Sequence, residues 1–118
     1  MITIYHNPRC SKSRETLALL ETLNQSGAPV TIVEYLKTPP TVEQLQTLHR
    51  QLSRPVRDML RDNEEPYKTL DLGRADLTDA EAYEAIATHP ILLQRPIVVY
   101  NDRAIIGRPP EDIKELFE

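Results

Sequence analysis

Strand, helix and strand follow one another within the first 35 residues, and this opening restricts the fold more than any other feature of the chain. Ile2-Thr3-Ile4-Tyr5 alternates and is rich in β-branched residues, so it predicts a strand with Ile2 and Ile4 on one face. Asn7-Pro8 ends it. From Ser11 to Leu23 the spacing predicts a helix, with Leu17, Leu20 and Leu23 on one stripe and Arg14 and Glu21 elsewhere. Asn7, Ser11 and Ser13 are its candidate capping oxygens. Gly27 to Pro29 interrupts the pattern, and Val30-Thr31-Ile32-Val33-Glu34-Tyr35 predicts a second strand. Such a unit closes as a right-handed crossover that leaves its two strands parallel.

The middle of the chain is helical and punctuated by proline. Pro39-Pro40 precedes Thr41, Glu43 follows, and Leu45, Leu48 and Leu52 mark an apolar stripe; Pro55 opens a short helix through Val56, Met59 and Leu60. Thr78-Asp79-Ala80-Glu81 has the form of a capping box before a helix that stops near His89-Pro90. Pro96 to Tyr100 and Arg103 to Gly107 predict two strands joined at Asn101-Asp102, residues that tolerate the positive φ of a tight hairpin. Glu111 to Phe117 predicts a last helix with Ile113, Leu116 and Phe117 inward. The resulting order resembles that of a thioredoxin-like α/β fold. It implies one domain over residues 1–118, a four-stranded mixed sheet, and a helical insertion between strands 2 and 3 at about residues 38–93, packed beside the sheet.

A chain of 118 residues encloses one core, so one site is expected. Its net charge of −4, with the acidic residues scattered, argues against a nucleic-acid module. MITIYHNP lacks the form of a signal peptide, and no apolar stretch is long enough to span a bilayer, so a cytoplasmic protein with no membrane partner is expected. A monomer is expected too. His6, His49 and His89 are too far apart to form a helical ligand pair, so no metal is assigned and no bound cofactor is expected. His49 reads as a helix-surface residue and His89 as a helix stop.

Cys10 is the sole cysteine. It stands where the first strand gives way to the first helix, among Arg9, Lys12 and Arg14. The thiolate is the nucleophilic form, and a helix N-terminus or nearby cations lower a thiol pKa from ~8.5 to roughly 3.5–7.5. The loop from Arg9 to Arg14 would also turn backbone N–H groups toward an oxyanion at the sulfur. Polar, basic neighbours do not suit the buried, inert role that many lone cysteines have. The tyrosine-phosphatase loop, Cys-x5-Arg, is absent, because Thr16 occupies the arginine position. Cys10-Ser11-Lys12-Ser13 instead has the Cys-x-x-Ser form of thioredoxin-type oxidoreductases. Ser13 can hydrogen-bond a thiolate but cannot resolve a disulfide, so a second thiol must come from another molecule.

Five ordered blocks extend these observations over nearly the whole chain: His6-Asn7-Pro8-Arg9-Cys10-Ser11-Lys12-Ser13-Arg14, Val56-Arg57-Asp58-Met59-Leu60-Arg61, Glu65-Pro66-Tyr67, His89-Pro90-Ile91-Leu92-Leu93-Gln94-Arg95-Pro96-Ile97-Val98-Val99, and Gly107-Arg108-Pro109. Together they resemble the ArsC family of glutaredoxin-linked arsenate reductases. The resemblance implies that Cys10 attacks arsenate and that Arg61, Arg95 and Arg108 hold the oxyanion. It places the family's histidine at His6 and makes Pro96 a cis-proline facing the site. Read from its position, His6 either helps ionise Cys10, directly or through a neighbouring group, or simply hydrogen-bonds the loop at the strand end. Glutathione and glutaredoxin are implied as the external reductants. Guanidinium groups suit this task because they bind oxyanion oxygens in pairs and never lose their charge. Arg54, Arg57 and Arg103 read as solvated surface cations.

Two alternatives share the scaffold. The chain ends ten residues after Arg108, and Arg9 and Lys12 stand where the longer arsenical-resistance enzymes have smaller residues, so it resembles the short chromosomal branch. A glutathione-linked thiol oxidoreductase with another substrate would fit that branch. Spx-like regulators that bind RNA polymerase have a similar fold, but those with a redox switch use Cys-x-x-Cys, and Ser13 cannot form it.

Overall fold

The computed structural model describes residues 1–118. Along β1 (Ile2–His6) the alternation decides the packing: Ile2 and Ile4 are fully buried, whereas Thr3 and Tyr5 on the opposite face are partly exposed. This strand lies inside a four-stranded sheet of order β2-β1-β3-β4. It pairs in parallel with β2 (Val30–Glu34), Ile4 opposite Ile32, and antiparallel with β3 (Ile97–Tyr100), Ile4 opposite Val98. The β4 strand (Arg103–Ile106) completes the sheet antiparallel to β3. Asn101 and Asp102 make the hairpin turn with φ of 53° and 60°, the left-handed conformation that a two-residue turn requires at both positions.

One face of the sheet is covered by α1 (Ser11–Leu23) and by a C-terminal 3-10 helix (Pro110–Phe117). Leu20 from the first and Ile113 and Leu116 from the second close over Ile2, Ile4 and Val98, with Leu17 and Leu23 at the margin. Each buried aliphatic side chain of this kind stabilises the fold by about 1.5–3 kcal/mol. Tyr100 stacks on Phe117 with ring centroids 5.3 Å apart. The last segment was expected as a helix and forms one in the tighter 3-10 pattern, opened by the Asp112 N–H donating to the Pro109 carbonyl at 3.1 Å. A segment this short gains few longer-range helical bonds, so the tighter pattern is competitive.

Residues 1–38 and 95–118 form this compact unit, and residues 39–94 form a second. In the second, α2 (Val42–Leu52) opens with a capping box between Thr41 and Gln44, each side chain accepting from the other's backbone N–H. The α4 helix (Asp79–Thr88) opens with the expected box of Thr78 and Glu81 and stops at His89. Between them the short helix expected after Pro55 forms as a 3-10 turn (Val56–Met59), followed by a short α3 (Glu65–Thr69) that the apolar pattern does not announce. A second 3-10 turn (Pro90–Leu92) follows α4.

Two surface expectations in this unit need correction. His49 is no solvated helix-surface residue: its Nε2 lies 2.8 Å from the Arg54 carbonyl and its Nδ1 2.6 Å from the Tyr83 hydroxyl. A carbonyl only accepts, so Nε2 carries a proton, and Nδ1 pairs with the Tyr83 hydroxyl. The pair ties α2 to α4. Arg57 likewise turns away from a purely solvated role, donating to the Leu72 carbonyl at 3.1 Å and to the Arg74 carbonyl, which fixes the loop before α4.

No helix is long and apolar enough to cross a membrane.

Candidate active site

The loop between β1 and α1 is shaped by Asn7. Its side-chain carbonyl accepts the Arg9 N–H and its main-chain carbonyl accepts the Cys10 N–H, both at 3.0 Å. An Asn before Pro is suited to such a turn, and this was the available signal for its role. Cys10 is thereby placed at the N-cap of α1 with extended backbone, φ −93° and ψ 124°. No side-chain hydrogen bond caps the helix, contrary to the expectation for Asn7, Ser11 or Ser13. The cysteine occupies the capping position instead, so the N–H groups of Ser13 and Lys12 face its partly exposed sulfur.

Four groups favour the thiolate. Burial pushes the thiol pKa up, but the Ser13 N–H, the Arg95 guanidinium and the Lys12 N–H together outweigh it, and the net direction is down. Arg108 adds a further contact, Nη2 lying 3.6 Å from Sγ, while its Nε donates to the Arg95 carbonyl at 2.6 Å. Arg95 therefore acts twice, through its guanidinium on the sulfur and through its main chain on Arg108. The Arg95–Pro96 bond is cis, the state the resemblance implied for Pro96, and Arg108–Pro109 is cis as well.

The basic residues adjacent in sequence do less. Arg14 is turned back onto the Pro8 carbonyl at 2.9 Å, Lys12 pairs with Glu15 at 3.7 Å, and Arg9 is exposed. An anion at the sulfur would meet Arg95 and Arg108, which the fold brings in from β3 and from beyond β4.

Ser13 and His6 are joined, though not as the sequence implied. The Ser13 hydroxyl lies 2.7 Å from His6 Nδ1 and accepts the Asn7 N–H at 3.0 Å, so it is the Ser13 backbone N–H, not the hydroxyl, that serves the sulfur. His6 is buried, and its pKa is lowered by that burial, Glu34 opposing and Arg14 adding to the effect. A neutral imidazole held by Ser13 fixes the loop rather than facing the sulfur as a cation.

Arg61 belongs to the second unit. It follows the 3-10 turn at Val56–Met59, and its N–H is tied to the Leu92 carbonyl at 2.8 Å beside the Leu60–Leu93 bridge. Its guanidinium is nearly covered: Nε donates to Glu64 at 3.1 Å and Nη1 to Gln94 at 3.2 Å, leaving Nη2 as the group without a protein acceptor. Glu64 and Gln94 went unnoticed in the sequence, because an acceptor for an arginine carries no local pattern.

A thiol made acidic by the Ser13 and Lys12 N–H groups and Arg95, with Arg108 beside it, is suited to attack an electrophile that carries negative oxygens. Comparison with known proteins points the same way. The family model of the ArsC family matches residues 5–116. An arsenate reductase of Haemophilus influenzae is 48% identical over 116 residues, covering 98% of this chain and 97% of its own. One from Neisseria meningitidis serogroup A is 44% identical over 114 residues, covering 96% and 95%. The solved structure of an arsenate reductase from Vibrio cholerae superposes with a TM-score of 0.90 at 51% identity, over 98% of this chain and 96% of that one. With the family model matching residues 5–116 and relatives this similar over nearly the whole chain, the chain belongs to the ArsC family.

Proposed function

We propose that this protein reduces arsenate to arsenite through a covalent adduct on Cys10. The observation that carries the reading is the thiol at the N-cap of α1, its pKa lowered by the Ser13 N–H and Arg95 against the opposing effect of burial, with Arg108 at 3.6 Å. Thiolate and arsenate are both anions, and their approach is opposed unless cations neutralise it. Arg95 and Arg108 supply that charge at the sulfur. Arg61 is the third oxyanion arginine of the family motif, and the Nη2 group left over by Glu64 and Gln94 is the donor it offers.

In the first step the Cys10 thiolate attacks arsenic and an oxygen leaves as water, giving a Cys10-S-arsenate adduct in which arsenic is still pentavalent. Reduction to the trivalent state takes two electrons. They come from two thiols that end as a disulfide, and since Cys10 must return as a thiolate and the chain has no other cysteine, both come from outside. Glutathione attacks arsenic in the adduct as a second oxygen leaves as water. A glutaredoxin thiol takes the glutathionyl sulfur as a mixed disulfide and leaves the bonding pair on arsenic, now trivalent. Water then cleaves the Cys10–arsenic bond, releasing arsenite and the free thiol. His6 and Ser13 hold the loop that presents the sulfur, and the Pro96 carbonyl accepts the Gly107 N–H at 2.9 Å, next to Arg108.

The test is NADPH oxidation coupled through glutathione reductase, with arsenate, glutathione and glutaredoxin present. Turnover is expected with the native chain and not with Cys10→Ser. Arsenate reduction that persists in the serine variant would defeat the proposal. Turnover that needs glutathione but not glutaredoxin would narrow the reductant to glutathione alone.

A further inference from the structure

The arginine that touches the sulfur is delivered by the residue before it, and the packing there is closer than a side chain permits. A Cβ placed on Gly107 would lie 2.8 Å from Thr16 Oγ1 and 3.0 Å from both Thr16 Cγ2 and Pro96 Cγ. Real Cβ atoms essentially never approach other atoms to less than 3.0 Å, and ordinary contact starts at 3.4 Å. Neither neighbour is the loose end of a flexible chain. Thr16 has no exposed surface, and its hydroxyl donates to the Lys12 carbonyl one turn back at 2.8 Å. Its β-branched side chain has few rotamers inside a helix. Pro96 is a ring.

Hydrogen bonds hold the same point from the strand side. The Gly107 N–H donates to the Pro96 carbonyl and the Arg108 N–H to the Ile106 carbonyl, both at 2.9 Å. The main chain at Gly107 is thus fixed between α1 and the start of β3. Directly after it, Arg108 spans from the Arg95 carbonyl at 2.6 Å to the Cys10 sulfur at 3.6 Å. One helix therefore carries both the nucleophile, at its N-cap, and the stop against which the cation is set, two turns later.

We infer that Thr16 and Gly107 are positioning residues for the nucleophile, the contact of the Thr16 side chain with the bare Gly107 backbone setting how closely the Arg108 guanidinium meets the Cys10 sulfur. The Thr16 hydroxyl also donates to the Gly107 carbonyl at 3.5 Å. Gly107 is required for space, not for an unusual backbone angle. In the sequence Thr16 was notable only as the position where a phosphatase would have its arginine. A methyl group at 107 pushes the strand end away from α1, and Arg108 leaves the sulfur with it. For catalysis the inference rests on the proposed arsenate chemistry; for the state of the thiol it does not.

The test uses the single cysteine of the chain, since iodoacetamide then reports on Cys10 alone. Alkylation rate is followed against pH in the native protein, Gly107→Ala, Thr16→Ala and the double variant, with circular dichroism and urea midpoints for each. In the native background Gly107→Ala is expected to raise the alkylation midpoint and slow alkylation at pH 7 by about threefold, because the rate follows the thiolate fraction. In the Thr16→Ala background, where the space has been opened, the same methyl group is expected to change the rate by less than about half as much, the non-additivity that marks two residues in contact. A folded Gly107→Ala protein with the native pH profile overturns the inference, and so does an equal effect in both backgrounds. If Gly107→Ala alone fails to fold, a folded double variant with a near-native profile supports the inference and an unfolded double variant overturns it. Because alkylation needs no arsenate, lack of turnover in the native chain would remove the substrate and leave this measurement intact.

Discussion

Ser13 serves the site with two different groups, its N–H toward the sulfur and its hydroxyl toward His6 and Asn7. Replacing it by Ala keeps the first and removes the second, leaving a buried ring nitrogen and a buried N–H without their partner. The expected loss is ~1–3 kcal/mol in a urea titration, the usual cost of an orphaned buried polar group. His6 and Cys10 also make stability depend on pH, each in its own window. Burial lowers the His6 pKa, with Glu34 opposing, so the unfolded chain binds that proton more strongly. Stability is then full above the ordinary histidine value of about 6.5 and falls as pH drops through the lowered native value. Cys10 is an acid with a lowered native pKa, so its contribution is full above the ordinary thiol value of ~8.5 and is lost as pH falls through the native one. Urea midpoints measured from acid to alkaline pH should therefore lose the lower slope in His6→Gln and the upper slope in Cys10→Ser.

Elements are set in this protein mainly by their first turns. Thr78 and Glu81 satisfy each other's backbone donors at the start of α4, and the Thr78 side chain has no other role. Thr78→Ala should cost about 1 kcal/mol, typical for an N-cap, and should leave the alkylation rate of Cys10 unchanged. At the start of α1 the same positions are used differently: a cysteine stands where Thr78 stands in α4, and the free N–H groups are directed to its sulfur. The first helix gives up a capping hydrogen bond, and the thiol gains acidity from the donors left open. Arg108→Ala tests the contribution of the adjoining strand end, and is expected to raise the alkylation midpoint of Cys10 while leaving the α-helical circular dichroism intact.

For the molecule as a whole, the site depends on a small core. Leu20, Ile113 and Leu116 join Ile2, Ile4 and Val98 in the core that holds β1 and α1, the two elements whose junction presents Cys10. Leu20→Ala would open a cavity under α1, with an expected cost of ~2–5 kcal/mol in thermal or urea unfolding. The chain's net charge of −4 does not describe its surroundings at the thiol, where Arg95 and Arg108 stand, while the basic residues that are sequence neighbours of Cys10 are turned to other partners or exposed.

Periodicity and local chemistry determined much of this from the sequence alone. The alternation of Ile2 and Ile4, the stripe of Leu17, Leu20 and Leu23, the Asn101-Asp102 turn and the Thr78–Glu81 box each depend on residues close together in the chain, and each appears where its pattern lies. Cys10 was conspicuous for the same reason, standing at the boundary between two such patterns. The tertiary structure decided what local patterns do not encode. It brought Arg95 and Arg108, which the family resemblance had singled out, to the Cys10 sulfur, gave the Ser13 hydroxyl to His6, and drew His49 and Arg57 into the framework. It also made Thr16 and Gly107 neighbours across 91 positions of chain. A side chain's hydrogen-bond partner and the room around a Cβ are set by segments far apart in sequence, and only the closed fold brings those segments together.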